Sequence, residues 1–195
     1  MTKLHYIIII INGNHYFCKM QQKIVFIGGP GTGKSTVINK MIEAGHTCMP
    51  EISREITLQA QKDGIDQLFL EDPLLFSTKI LEGREKQFLE ASELACNLVF
   101  FDRGIPSVHA YMRYFNTEVP PIFLEKSKKY TYQKVFQFLP WKEIYTSDNE
   151  RYETFEESVI ISRFLHDAYT ELGYEIIKVP FGSVEERCKF IMNSL

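Results

Sequence analysis

The run Gly28-Gly29-Pro30-Gly31-Thr32-Gly33-Lys34-Ser35 holds the residue types a polyphosphate needs, at the spacing G-x-x-x-x-G-K-S. Glycines let the backbone turn tightly and point successive N–H groups inward, and a following helix adds its positive end to the same charge. Lys34 is positioned to reach the β- and γ-phosphates, and Ser35 offers a hydroxyl to Mg²⁺, with Thr36 as a second hydroxyl at the helix start. A structural Gly/Pro turn between a strand and a helix explains neither the Lys-Ser pair nor the spacing.

A second constellation is Leu98-Val99-Phe100-Phe101-Asp102, an apolar strand ending in an acid. Beside a phosphate loop, such a carboxylate holds Mg²⁺ directly or through water. Arg103 follows at once; its planar fork suits a phosphate, and an ion pair with Glu51 or another acid is a second reading that does not exclude the first. Glu51, in Pro50-Glu51-Ile52-Ser53-Arg54, falls at the expected C-terminal edge of a second strand, where it can accept a proton from a substrate hydroxyl. The alternative for Glu51 is favourable charge at a helix N-terminus. Arg54, one turn on, either holds an acceptor group or pairs with Glu51 or Glu55.

The charged stretch from Pro140 to Tyr152 reads as a closing segment that brings Arg151 or Lys142 to the transferring phosphate, or as solvated surface. Within it, Trp141 and Tyr145 either pack under the loop, the favoured reading, or stack on a base. His46, His109 and His166 show no metal-ligand spacing, and no Ser-His-Asp arrangement is recognisable.

The elements that must position these residues follow from the pattern around them. From Lys23 onward strand-like and helical runs alternate, as in an α/β domain with a mainly parallel sheet. Expected strands are Lys23–Ile27, His46–Met49, Leu98–Phe101, Tyr132–Leu139 and Tyr174–Val179. Expected helices are Lys34–Ala44, stopped by Gly45; one from Pro50-Glu51 to about Gln61; and one capped by Asp72-Pro73 with an inward stripe of Leu74, Leu75, Ile80, Leu81, Phe88 and Leu94. Another follows Pro106 through Tyr111–Phe115. Thr154-x-x-Glu157 and Ser183-x-x-Glu186 are capping boxes that open the last two helices.

At 195 residues with 45% hydrophobic content, the chain fits one domain with a full-sized core. A net charge of −3 gives no overall footprint for nucleic acid. The four cysteines lie far apart without a C-x-x-C pair, against a zinc site or disulfide framework and in keeping with a reducing cytoplasm. Residues 1–22 read differently: Asn12-Gly13 between two β-prone stretches suggests a hairpin, while a dispensable extension ahead of a domain at 23–195 is the preferred reading. The Ile7–Ile11 run is too short to span a membrane, so membrane contact is not expected.

Together GGPGTGKST, PEISREI, VFFDRGIPSVHAY, PWKEIYTSDNERYETFEES and YTELGYEIIKVPFGSVEER resemble the NadR-like AAA domain family of P-loop proteins, from Lys23 to Leu195. The resemblance implies a three-layer α/β/α fold with a parallel five-stranded sheet, like that of nucleoside and nucleoside-monophosphate kinases. The family includes a ribosylnicotinamide kinase module and also GTP-binding proteins that recognise a phospholipid. By matching motifs it assigns phosphate and Mg²⁺ roles to Gly31, Gly33, Lys34, Ser35 and Thr36, an acid-arginine pair to Asp102 and Arg103, and the closing segment to Asp148 and Arg151; Glu51 matches the acid after the second strand. Ser107 departs from an acid often found there. The implied activity is Mg²⁺-dependent transfer of a phosphoryl group from ATP or GTP to a small, nucleoside-like acceptor, with a nucleotide-gated switch lacking an acceptor as the alternative.

Overall fold

The computed structural model describes residues 6–11, 14–19, 21–65, 67–145 and 153–195. Strands β1 (Tyr6–Ile11) and β2 (Asn14–Lys19) pair antiparallel, with Ile11 opposite Asn14, and form a two-stranded sheet of their own. The two β-prone stretches thus pair as a hairpin would have them; Asn12-Gly13 itself lies outside the described residues.

The five remaining strands form the sheet that organises the domain. They are β3 (Gln22–Ile27), β4 (Thr47–Met49), β5 (Leu98–Asp102), β6 (Lys134–Phe138) and β7 (Ile176–Val179), in the order β4-β5-β3-β6-β7 and parallel throughout. β3 is central, with Val25 opposite Phe101 on one side and Val135 on the other. Its four residues from Ile24 to Ile27 are fully buried, which is why this strand reads as an unbroken apolar run.

Alternation along the strands divides the core into two layers. Ile24, Phe26, Phe100, Phe136 and Phe138 pack with Val37, Ile38 and Met41 of α1 (Lys34–Glu43) and Ile191 of α8 (Val184–Asn193). Val25, Ile27, Val99, Phe101 and Val135 face the other way, onto α4 (Pro73–Glu93), α5 (Pro106–Tyr114) and α7 (Phe155–Glu171). The result is the expected three-layer arrangement. A third cluster, including Ile52, Leu81, Ile105 and Phe123, lies under α2 (Ser53–Lys62) and α6 (Pro121–Lys129) and supports the chain that carries Glu51.

Local signals fixed most helix ends. The Asp72 side chain accepts from the Leu75 N–H at 2.9 Å, and the Thr154 and Ser183 capping boxes both close reciprocally. Two features differ from expectation. Leu74, Leu75 and Leu94 are at least 40% exposed; the buried stripe of α4 runs through Ser77, Ile80, Leu81, Arg84, Gln87 and Ala91. Arg84 and Gln87 bind partners across the interface, so burial there does not track hydrophobicity. Second, α3 (Leu68–Glu71), α6 and a 3₁₀ turn at Lys142–Ile144 have no counterpart in the sequence reading.

Candidate functional site

The phosphate loop leaves β3 at the C-terminal edge of the sheet and delivers the chain into α1 through Gly33, whose φ of 77° is left-handed. Gly31 also has a positive φ, 72°, and a Cβ there would meet the Tyr145 ring at 2.5 Å. Gly29 needs its missing side chain for another reason: a Cβ would lie 2.5 Å from the Ser158 carbonyl oxygen. The loop is pinned from the helices behind it. Ser158 Oγ donates to the Pro30 carbonyl at 2.7 Å, Arg187 Nη2 donates to the Thr32 carbonyl at 2.8 Å, and Thr32 Oγ1 donates to the Gly29 carbonyl at 2.9 Å. Lys34, 7% exposed, donates through Nζ to the carbonyls of Gly28 (3.1 Å) and Gly29 (3.3 Å), while Ser35 and Thr36 are exposed on the first turn of α1.

Across from this loop the ends of β4 and β5 bring Glu51, Asp102 and Arg103 together. Glu51 uses both oxygens: Oε1 accepts from Arg84 Nη2 at 2.9 Å and from the Ser53 N–H at 3.2 Å, and Oε2 lies 3.0 Å from Arg103 Nε. The last contact is too bent for a hydrogen bond and is an ion pair only. Arg84, whose side chain is 5% exposed, also donates to the Gly104 carbonyl at 2.5 Å, so one residue of α4 ties the acid after β4 to the turn after β5. Arg103 is held with φ at 68°, an uncommon conformation for a residue with a side chain, its N–H bonded to the Phe26 carbonyl and its guanidinium 4.6 Å over the Tyr111 ring. The turn is further fixed by Tyr169, whose hydroxyl accepts the Gly104 N–H and meets Ser107 Oγ at 3.0 Å, and by Tyr132, which accepts the Ile105 N–H.

This charge arrangement separates the two acids. Burial alone would raise the pKa of Glu51, but the guanidinium groups of Arg84 and Arg103 overcome it and hold the carboxyl down at about 2. Burial pushes Asp102 up, with the Lys34 ammonium opposing it and the Glu51 carboxylate adding to it. Asp102 Oδ1 is buried without a hydrogen-bond partner. A buried carboxylate oxygen left without a donor, facing the ammonium of a phosphate-loop lysine, fits a group coordinated through a cation. Among the described residues no cluster of three or more His, Cys, Asp or Glu is placed to hold a metal ion by itself.

A family model described as an AAA domain matches residues 23–187. The chain belongs to this AAA domain family. Solved structures of other proteins share its fold. They include deoxyadenosine kinase from M. mycoides with bound dATP (TM-score 0.62, 18% identity, covering 89% of this chain and 98% of that one). A NadR protein in complex with NR gives TM-score 0.67 at 16% identity over 90% of this chain and 51% of that one. Thymidylate kinase from Ehrlichia chaffeensis gives TM-score 0.56 at 16% identity over 90% and 99%. No curated protein sequence matches the chain. The parallel α/β fold of nucleoside and nucleotide kinases is therefore that of this AAA domain.

The fold gathers Gly28 to Thr36, Glu51, Asp102 and Arg103 at one edge of the sheet, whereas Arg54 lies on the exposed side of α2 and Asp148 and Arg151 lie outside the described residues. Ser107 is buried with its hydroxyl engaged by Tyr169. Sequence reasoning missed Arg84 and Arg187. Neither stands in a motif with its partner: Arg84 is 33 residues from Glu51 and Arg187 is 155 from Thr32.

Proposed function

We propose that this AAA domain is a Mg²⁺-dependent kinase that transfers the γ-phosphate of ATP or GTP to a hydroxyl of a small, nucleoside-like acceptor. The observation that carries the reading is the convergence of Lys34, Asp102, Glu51 and Arg103 around a glycine loop at one sheet edge. Lys34 exchanges the Gly28 and Gly29 carbonyls for phosphate oxygens, and the inward loop amides hold the same charge. Ser35 and Asp102 hold Mg²⁺, which when bound neutralises charge on the phosphate oxygens. Glu51 is ionised at neutral pH and accepts a hydrogen bond from the acceptor hydroxyl, orienting it. The approach of phosphate gives Arg103 a second anion beside Glu51, so its guanidinium can shift toward the transferring group. Arg151 is assigned to that charge on its sequence motif alone. A loose phosphoryl-transfer transition state asks mainly for such positioning and electrostatics.

The deoxyadenosine kinase and NadR structures, bound to dATP and NR, support a nucleoside-like acceptor class. The test is a screen of nucleosides and small hydroxyl compounds with Mg²⁺-ATP and Mg²⁺-GTP. A phosphorylated product that requires both acceptor and Glu51 supports the reading. Release of inorganic phosphate at one rate whatever the acceptor would overturn it in favour of a nucleotide-gated switch.

A further inference from the structure

A trans peptide unit fixes two directions at once, because its C=O and its N–H point to opposite sides of the chain. A group that grips the carbonyl of one residue therefore aims the amide of the next. Two such grips reach the phosphate loop from helices outside its motif. Ser158 of α7 donates to the Pro30 carbonyl at 2.7 Å, and Arg187 of α8 donates to the Thr32 carbonyl at 2.8 Å. The amides turned to the opposite side belong to Gly31 and Gly33, both held at left-handed φ. Among the described residues, neither of these amides donates to a protein acceptor.

Neither grip is what its residue does by default. Thr57, Thr78, Ser92, Ser127 and Thr170 each donate to the carbonyl four residues back in their own helix, the usual bond of a hydroxyl within a helix. Ser158, 1% exposed, instead crosses to a residue 128 positions earlier. Arg187 is 4% exposed, its guanidinium 4.8 Å from the Phe138 ring and 6.0 Å from the Trp141 ring, and its Nε has no hydrogen-bond partner. Burial lowers its pKa, and among the described residues no carboxylate offsets that. A neutral donor would hold one carbonyl without burying a charge. A polyphosphate seated in the loop supplies the missing anion. Lys34 must release the Gly28 and Gly29 carbonyls to reach phosphate, whereas Ser158 and Arg187 can keep theirs.

We propose that Ser158 and Arg187 are positioning residues that never touch the ligand but aim the Gly31 and Gly33 amides into the phosphate cradle, so that α7 and α8 set the affinity of the loop for polyphosphate. This rests on the phosphate-binding part of the reading above and deepens it. The full chain, isotope-labelled for NMR, is titrated with Mg²⁺-tripolyphosphate and with Mg²⁺-ATP and followed by calorimetry and by the amide resonances of Gly31 and Gly33. Both resonances are expected to move when either ligand binds the natural protein. Arg187→Met should weaken both ligands by about 5- to 150-fold, the upper end being the worth of one hydrogen bond to a charged group. It should also shrink the movement of Gly33 and spare that of Gly31. Ser158→Ala should do the converse, with a loss of at least about threefold for both ligands. Arg187→Lys keeps a charged donor and should recover at least about threefold of what Arg187→Met loses.

A lowered unfolding temperature with affinity and both resonances as in the natural protein would make the two residues structural supports only, and would overturn the proposal while the phosphate-loop reading stands. So would a loss for ATP that tripolyphosphate does not share, since the loop amides meet phosphate alone. Ser158→Ala removes a single oxygen and, with Arg187→Lys, decides the matter by the same criteria if Arg187→Met does not fold. No heat and no movement of either resonance in the natural protein, up to millimolar concentrations of both ligands, would overturn the phosphate-loop reading and the proposal with it.

Discussion

Replacing Arg84 by methionine tests the electrostatics of the site most sharply. The guanidinium is 5% exposed and donates both to Glu51 Oε1 at 2.9 Å and to the Gly104 carbonyl at 2.5 Å. Methionine fills much of the volume but leaves a buried carboxylate with one of its two cationic neighbours gone and a carbonyl without its donor. Removing one partner of a buried ion pair costs about 3–5 kcal/mol. The pH dependence gives an independent measure. Glu51 titrates near 2 in the folded protein against 4.5 in the reference state, so its ionised form contributes stability that is fully present above pH 4.5 and is lost as pH falls through that window toward 2. The full effect is roughly 3 kcal/mol. In Arg84→Met the folded pKa rises toward 4.5, and the loss of stability on acidification below pH 4.5 becomes shallower than in the natural protein. Urea unfolding of both proteins from pH 7 to 3, with Glu51→Gln and the double variant closing a cycle, reads both quantities. A loss under about 1 kcal/mol at pH 7 with an unchanged acid slope would refute the claim that Arg84 holds Glu51 ionised.

Other consequences concern separate parts of the molecule. Burial, reinforced by Arg113 and opposed by Glu171, lowers His109 to about 4 from 6.5, so stability should fall by up to roughly 3 kcal/mol as pH drops from 6.5 to 4. Urea unfolding of His109→Leu should show that slope removed; an identical slope would exclude His109 as its source. Gly29→Ala places a Cβ 2.5 Å from the Ser158 carbonyl and should lower the unfolding temperature by several degrees, read by calorimetry, whereas an unchanged value would mean the loop is not pressed against α7. Removal of residues 1–19, whose two strands form a sheet apart from the five-stranded one, should leave thermal stability and nucleotide affinity unaltered; loss of either would make the hairpin part of the domain.

Much of this architecture was legible because its signals are local. The apolar run before Gly28, the Asp72-Pro73 start and the two capping boxes each concern residues within a few positions of one another, and each element formed close to its expected bounds. The ion pair of Arg103 with Glu51 was one of two compatible readings and is present in this structure. Arg84 was not legible: it occupies a position on the inward stripe of α4 where periodicity expects an apolar residue, and only the folded chain shows that Glu51 and Gly104 await it there. Leu74 and Leu75 erred in the opposite direction. They satisfy helical spacing, yet they belong to the first turn of α4, ahead of the segment that its neighbours cover. The start of α6 did carry a signal, Pro120-Pro121 at a first-turn position, between the expected helix ending at Phe115 and the strand expected from Tyr132.

The central claim is that the loop from Gly28 to Thr36 grips the polyphosphate of a nucleotide and that Lys34 is indispensable to that grip. Calorimetric titration of Mg²⁺-ATP and Mg²⁺-GTP into the natural protein and into Lys34→Ala, with circular dichroism confirming that both are folded, measures it directly. Saturable heat from the natural protein and its loss in the variant is the expected result. No heat from the folded natural protein up to millimolar nucleotide, or equal affinity in the two proteins, would contradict the account.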